Sequence, residues 1–500
     1  MEVKKVIDCD VVVVGGGNAG LVATIECDNL GADVLLLEKA PKEKRGGNSR
    51  FTGGVWRVAF DDGNKEILPL LDASALPVPV DSLDIAPYPK DEFYSHAMRV
   101  SQGLSEKKWT ESLVDKSLPT LQWLVKQGVR FTVPAYSLVK RNGRNYLPPR
   151  TTAVEAVNLG EGLVEMEYGI LESRRANILY ETAAERLIVN SGGEVCGLIA
   201  RTNEGMIQVN ARSVILACGG FEGNPEMRRR YLGEGWDLAK LRGTRYNTGD
   251  GLRMALEIGA APFGHWGGCH ASVVSEDSPQ VEAEAVGCIR YSYLYCIMVN
   301  VNGERFINEG EDIVSYTYAK TGREIAKQPQ GLAFQIFDAK VTEYFMPEYQ
   351  GAIHVESSTL EELAEDAGID VKGFVKTVKD FNAAIEDDDR PFLPGICDGR
   401  RTVGLDPDKT NWARKIDTPP FQAFAVVRGL TFAYGGIKID DKTRVMDTRE
   451  KPIAGLYAVG EMPGGLFYHN YMAGSGLMKG AMTGRIAAAE AVARAKAMKK

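Results

Sequence analysis

The stretch from Asp10 to Glu38 constrains this chain more than any other part of it. Val11-Val12-Val13-Val14 is a short β-branched run of the kind a buried parallel strand uses. It leads into Gly15-Gly16-Gly17-Asn18-Ala19-Gly20, which fits G-x-G-x-x-G at Gly15, Gly17 and Gly20, and then into a helix-like run through Leu21, Ala23 and Ile25. A second strand, Val34-Leu35-Leu36-Leu37, ends at Glu38, about 20 residues beyond the glycines, as a dinucleotide-binding unit requires. Each piece has a physical task. Gly15 makes the turn, Gly17 lets the backbone approach a pyrophosphate, and Gly20 allows close helix–strand packing. The helix N-terminus faces phosphate, and Glu38 can accept hydrogen bonds from ribose hydroxyls. A lone glycine triplet is a weak signal; a strand on each side and an acid in register make this one specific.

Composition narrows the partners. The chain has 500 residues, 44% hydrophobic and 25% charged, enough for a large core and two or three domains. A net charge of −8 with no basic block argues against nucleic acid. Val11 to Val14 is too short to span a bilayer, and Asp8 and Asp10 interrupt what precedes it, so neither a signal peptide nor a membrane span is expected. Eight cysteines form no C-x-x-C pair, which points to buried thiols in a reducing cytoplasm. Five histidines without ligand spacing predict no metal site.

Along the chain, Gly46-Gly47-Asn48-Ser49 and Thr52-Gly53-Gly54 form a second glycine-rich loop, suited to lie along an elongated cofactor. Recurrent prolines from Asp61 to Pro89 predict a surface segment without regular structure. Helices are expected from Asp91 to Ser101, from Glu106 to Gln127 and from about Gly160. Period-two runs at Ile178–Tyr180, Arg186–Asn190, Val195–Arg201 and Ile207–Val209 predict a small antiparallel meander. It leads into the buried strand Val214-Ile215-Leu216 and then Ala217-Cys218-Gly219-Gly220. Asn247-Thr248-Gly249-Asp250-Gly251 opens a helix. Near the end, Gly455 to Glu461 repeats the pattern of strand, glycine and acid, and Gly474-Ser475-Gly476-Leu477 opens the last helix. Four segments thus run from strand into glycine and could converge on one cofactor.

This ordered set resembles the fumarate reductase/succinate dehydrogenase flavoprotein superfamily over nearly the whole chain. Arg242-Gly243-Thr244-Arg245-Tyr246-Asn247, Glu309-Gly310-Glu311-Asp312 and Ile416-Asp417-Thr418-Pro419-Pro420-Phe421 resemble its FAD-dependent tricarballylate dehydrogenase branch. The ketosteroid Δ1-dehydrogenases are more distant relatives. The resemblance implies an α/β, Rossmann-type (doubly wound) FAD-binding domain, residues 1–265 and 415–500, with an inserted α+β capping domain at about 266–414. It implies FAD held by Gly15, Gly17, Asn18, Ala19, Gly20, Glu38 and Lys39, and by Gly47, Asn48, Ser49, Thr52, Gly53 and Gly54. Further contacts are expected from Ala184, Ala217, Gly219, Gly220, Asn224, Asp250, Gly460, Glu461, Ser475, Gly476 and Leu477. The superfamily's covalent attachment uses a histidine shortly before the second glycine pair; the stretch Arg45 to Gly54 has none, so the FAD is expected to be non-covalent.

Desaturating a C–C bond needs a clamp on an activating oxygen, a group that moves the adjacent proton, and a carbon held against the flavin. By resemblance to the fumarate reductases, His270 in Gly268-Cys269-His270-Ala271 is a retained substrate histidine. The second histidine falls at Phe432, the clamping arginine at Tyr471 and the proton-carrying arginine at Ser292, with Arg290 two residues before it. Losing two such clamp groups removes roughly 1.5–3 kcal/mol per charged hydrogen bond, which argues against fumarate itself. Tyr471 resembles the ketosteroid-dehydrogenase tyrosine that grips a ketone oxygen together with a backbone N–H. Tyr291, Tyr293 and Tyr295 alternate, which on a strand gives one shared face.

The expected activity is α,β-dehydrogenation of a small carbonyl or polycarboxylate compound, with Tyr471, Tyr291, Tyr293, Arg290 and His270 as catalytic candidates. A fumarate reductase-like enoate reductase and a flavin-binding module without turnover stand as alternatives. With no haem motif or iron–sulfur cysteine pattern in the chain, the electron partner is expected to be separate, a quinone or a redox protein.

Overall fold

The computed structural model describes residues 3–386 and 390–499. The last residues of strand Val3–Val14 pair in parallel with Val34–Leu37 on one side and with Ser213 to Leu216 on the other. Leu456 to Ala458 then pair in parallel with Val214 to Leu216. These strands read as unbroken apolar runs because both of their faces are covered. Val12, Val14, Leu35, Leu37, Val214 and Leu216 pack with Leu252, Met254 and Ala255 of helix Asp250–Glu257. The alternate residues Val11, Val13, Val34, Leu36 and Ile215 pack with Leu21 and Ile25 of helix Asn18–Asn29 and with Ala487, Ala488, Ala491 and Val492 of helix Ser475–Ala497. Helices on both faces of a mainly parallel sheet make this the Rossmann-type, doubly wound α/β arrangement.

The meander differs from expectation at both ends. Asn177–Leu179 does not join it but adds a parallel edge strand beside Val34–Leu37. Ile207–Val209 and Val214–Leu216 are parts of one twelve-residue strand, Gly205–Leu216, antiparallel to Val195–Thr202 over its first half and parallel to its neighbours over its second. The proline-rich segment also holds more structure than expected. Asp62 caps the short helix Gly63–Glu66, and Leu83–Ile85 pairs in parallel with Arg144–Leu147.

The chain divides into two compact units. The first comprises Met1–Asp237, Gly243–Cys269 and Thr431–Lys500, and the second Leu238–Arg242 and His270–Leu430. The second is α+β. Leu332–Phe337 lies antiparallel between Ile297–Asn300 and Gln422 to Val427. Helices Leu360–Ala367 and Val371–Ala384 cover this sheet, with Leu363, Phe374, Val378 and Phe381 packed on Ile297, Val299, Phe334 and Ile336. Thr359 Oγ1 accepts from Glu362 N at 3.2 Å and caps the start of the first of these helices.

The tyrosine run is not a strand. Ser292–Tyr295 is a 3₁₀ turn and the strand begins only at Ile297. Ser292 N donates to Tyr349 Oη at 3.1 Å and Ser292 Oγ accepts from Met346 N at 2.9 Å, and these bonds hold the turn. No helix of the described residues is long and apolar enough to cross a membrane.

Thr483 helps to pin the terminal helix to the sheet. Thr483 Oγ1 accepts from Gly460 N at 3.0 Å and donates to Lys479 O at 2.7 Å, with no solvent exposure. Thr483→Val keeps the shape but strands a buried N–H, so it is expected to lower unfolding stability by about 1–3 kcal/mol in chemical denaturation.

Candidate active site

Most of the cofactor segments named from the sequence meet at the C-terminal ends of the parallel strands of the first unit, where open α/β sheets bind ligands. Gly15 N donates to Leu37 O at 2.8 Å, joining the first turn to the second strand. Gly20 admits no side chain, since a Cβ there would lie 1.9 Å from Gly15 O. Glu38 is buried and bridges two loops, its Oε2 accepting from Gly16 N at 2.9 Å and its Oε1 from Ala40 N at 2.8 Å. Burial pushes its carboxyl up from the usual range, and these N–H donors pull it back. Each carboxylate oxygen has a second acceptor lobe for a hydroxyl. Tyr168 Oη donates to Gly16 O at 3.1 Å and fixes the turn from below.

The second glycine-rich loop is tied to the same place. Ser49 Oγ accepts from Asn18 N at 3.1 Å; Asn48 Oδ1 accepts from Thr244 N at 2.9 Å and Asn48 Nδ2 donates to Thr431 O at 2.8 Å. Lys39 Nζ reaches Asp250 Oδ2 at 2.8 Å. Asn18 Nδ2 donates to Leu477 O at 2.9 Å, which ties the starts of the first and last helices together. Two buried oxygens there, Asn18 Oδ1 and Ser475 Oγ, have no hydrogen-bond partner among the described residues. Two of the named residues have side chains that serve the framework. Asn224 Oδ1 caps helix Pro225–Leu232 by accepting from Met227 N at 3.2 Å, and Ala184 packs into a core cluster.

Tyr471 lies in the loop before the terminal helix, with its ring edge-on to Phe432 and Phe467, each at 5.0 Å. Its hydroxyl oxygen accepts from Gly476 N at 2.9 Å. The resemblance implies that the hydroxyl and a backbone N–H act side by side on a substrate oxygen; here they stand in series. A phenol that accepts from the first turn of a helix has a more polarised O–H and is a stronger donor.

In the second unit His270 is 1% exposed, with Nδ1 at 3.3 Å from Ser272 Oγ and its ring edge-on to Tyr318 at 4.7 Å. Burial, and then the Arg242 charge, push its pKa well below the ordinary value, so the imidazole is neutral at pH 7. Tyr291 is edge-on to the same Tyr318 ring at 5.1 Å. Its buried hydroxyl closes no hydrogen bond within the described residues. Burial raises its pKa, opposed by the Arg242 charge and by the nearby Ser272 hydroxyl. Tyr293 and Tyr295 are more committed. Tyr293 Oη is 2.6 Å from Thr317 Oγ1, and Tyr295 Oη accepts from Gly395 N at 3.0 Å.

Arg290 is expected from the sequence to lower a tyrosine pKa, and its geometry serves another purpose. Nη1 donates to the carbonyls of Gly287, Ile289 and Glu348 at 2.7, 2.8 and 3.1 Å, and the guanidinium stacks over Tyr349. The cation that acts on Tyr291 is Arg242, which the sequence analysis quoted only as part of a family motif. Tyr318 was also missed. Neither stood out because each meets its neighbours only after folding.

The model of the FAD binding domain family matches residues 10–73 and 79–477. The chain is 28% identical over 483 residues to a probable fumarate reductase Ifc3 of Shewanella frigidimarina, across 95% of this chain and 74% of that protein. It is 27% identical over 570 residues to the 3-oxosteroid 1-dehydrogenase of Mycolicibacterium smegmatis, across 98% of each. It spans about half (50%) of the length of a third relative, the NADH:acrylate oxidoreductase of Vibrio harveyi, at 27% identity over 540 residues and 96% of this chain. Among solved structures, the open conformation of a flavocytochrome c3 fumarate reductase superposes with a TM-score of 0.73 at 24% identity, covering 98% of this chain and 79% of that one. The 3-ketosteroid Δ1-dehydrogenase of Sterolibacterium denitrificans gives 0.73 at 21%, covering 97% and 99%. The chain belongs to the FAD binding domain family, within the fumarate reductase/succinate dehydrogenase flavoprotein superfamily of oxidoreductases that act on CH–CH bonds.

Proposed function

We propose that this protein interconverts a saturated and an α,β-unsaturated carbonyl or carboxylate compound, with FAD bound non-covalently. The groove fits that cofactor: buried Asn18 Oδ1 and Ser475 Oγ need partners, and two helix N-termini suit a pyrophosphate. Glu38 and Lys39, the Gly47–Thr52 loop, Glu461 and the Ser475–Leu477 turn hold it. When bound, FAD supplies the hydride acceptor or donor at its N5.

The observation that carries the reading is the Gly476 N–H to Tyr471 Oη bond. It aims a polarised phenol O–H where a substrate oxygen takes up negative charge, at the positive end of the terminal helix. The ring cage of Phe432 and Phe467 holds the phenol in place and suits a substrate with an apolar flank. In the second unit, neutral His270 orients substrate by hydrogen bonding and Tyr291 handles the α-proton, with Arg242 supplying the positive charge.

The state of Tyr291 sets how each direction depends on pH. Burial keeps it a phenol at neutral pH, ready to give a proton to an enoate. Protonated Tyr291 serves the reductive direction, that of the fumarate reductase among the relatives, and the flavin potential and electron partner set which direction prevails. Dehydrogenation needs the phenolate, so its rate grows as pH rises. Electrons are exchanged with a separate quinone or redox protein.

Four outcomes test this. Acid precipitation releases the yellow chromophore to the supernatant; colour in the pellet would mean covalent attachment. Glu38→Gln raises the FAD dissociation constant about 10- to 150-fold, the value of charge-assisted hydrogen bonds worth about 1.5–3 kcal/mol. A panel of saturated ketones and polycarboxylates, screened anaerobically for flavin bleaching, supplies a substrate for stopped-flow work. Tyr471→Phe then slows flavin reduction about 100-fold or more with FAD retained. The wild-type rate rises up to tenfold per pH unit below the raised pKa of Tyr291, and Tyr291→Phe abolishes that rise. Wild-type rates in both variants would sink the assignment.

A further inference from the structure

Behind the cofactor groove of the first unit lies a pair of acids that the reaction chemistry does not use. Glu222 follows Gly219-Gly220-Phe221 and is fully buried, and Glu461 follows Gly460 at the end of the last parallel strand. The two side chains meet on one backbone N–H. Ala433 N donates to Glu222 Oε1 at 2.7 Å and to Glu461 Oε1 at 2.9 Å. Asn247 Nδ2 donates to the other oxygen of Glu222. Gly220 leaves room for the pair, since a Cβ there would lie 2.4 Å from Glu461 Oε1 and 2.5 Å from Glu222 Oε1.

Two carboxylates that converge on a single donor in a buried site cannot both stay ionised, because their repulsion is barely screened there. Two neutral acids would leave the Ala433 and Asn247 donors facing weaker acceptors. One proton for two carboxyls satisfies both demands, with an O–H···O bond between them. The members differ. Glu222 is enclosed, whereas Glu461 keeps some solvent exposure. The nearest cation, Lys479 on the terminal helix, acts on Glu461 and donates to Pro463 O at 2.6 Å.

We propose that Glu222 holds the shared proton of this pair and is a positioning residue, fixing Glu461 as the single anionic acceptor that this end of the groove offers to FAD. The direction of the titrations agrees. Burial and the neighbouring Glu461 raise Glu222 well above the carboxylate range, while contact with Glu222, Ala433 N, Lys479 and Asn247 counters part of the burial effect on Glu461. The titratable groups acting on the pair are its own two members and Lys479, whose ammonium burial lowers to about 8.

The signature is a pH dependence that a merely space-filling Glu222 would not produce. A raised carboxyl pKa in the fold means that the folded state binds a proton the unfolded chain has released. Stability is then lost as pH rises from the ordinary Glu value of about 4.3 towards the folded value. Glu222→Gln mimics the protonated acid and carries no such proton. The full-length protein and this variant are unfolded in urea at intervals from pH 5 to pH 8. The ratio of wild-type to variant unfolding constants is expected to rise up to tenfold per pH unit. A ratio constant across that range would overturn the proposal. If the variant does not fold, the infrared carbonyl band of a protonated carboxylic acid at pH 8 is read in Glu167→Gln, which removes the other deeply buried protonated acid, and its absence there overturns the proposal. Titration with FAD separates the two roles. Glu461→Gln weakens FAD binding about tenfold or more, and Glu222→Gln weakens it less. Equal losses would show that Glu222 is not the protonated partner.

Discussion

Two helix N-termini brought side by side are the constraint on which the rest of the first unit depends. Helices Asn18–Asn29 and Ser475–Ala497 start next to each other, tied by Asn18 Nδ2 to Leu477 O at 2.9 Å. Each start carries N–H groups with no partner inside the helix and the positive end of a helix dipole, so the two repel unless negative charge or acceptors lie before them. The chain supplies part of the answer through Glu38 and Glu461, at the ends of strands separated by two others in the sheet, and on the proposed function a diphosphate supplies the remainder. The small residues Ala487, Ala488 and Ala491 let the terminal helix lie close on the sheet, and Thr483 fixes its height by accepting from Gly460 N. Displacing that helix would move Ser475, Gly476 and the donor of Tyr471 together.

What the sequence made legible is what short-range physics decides. Val11 to Val14, the glycine turn and Glu38 read correctly because a buried parallel strand, a tight turn and an acid at fixed spacing admit few alternatives. The tyrosine run read wrongly because alternating aromatic residues carry high β propensity, while the turn at Ser292–Tyr295 is imposed by Met346 and Tyr349, more than fifty positions later. Asn177–Leu179 likewise resembles a meander strand, and only its pairing with Leu35 to Leu37 reveals the parallel edge. Arg242, Tyr318 and the pairing of Glu222 with Glu461 were invisible because each acquires its meaning from partners distant in sequence.

The aromatic residues at positions where fumarate reductases place cations change the physics of recognition more than its location. A histidine or arginine at Phe432 or Tyr471 would grip a second carboxylate; here those side chains form an edge-to-face cluster with Phe467. Such a cluster excludes water, and in a drier site one polarised O–H carries more of the stabilisation of a developing oxyanion. On the proposed function, fewer charges and one strong donor would suit a substrate with one activating carbonyl and an apolar flank better than a compact dicarboxylate.

The same economy of charge governs the second unit. His270, Tyr291 and Ser272 lie near Arg242, and burial holds both the imidazole and the phenol in their neutral forms. A neutral histidine cannot repel an incoming cation or hold an anion by charge; it selects by hydrogen-bond direction alone. The positive charge therefore stays with Arg242, whose backbone is fixed to Leu430 O at 2.9 Å. Because Arg242 opposes the effect of burial on Tyr291, that phenol is a better acid than burial alone would leave it. An arginine suits this task better than a lysine, since it keeps its charge in a buried setting where an ammonium would shed its proton.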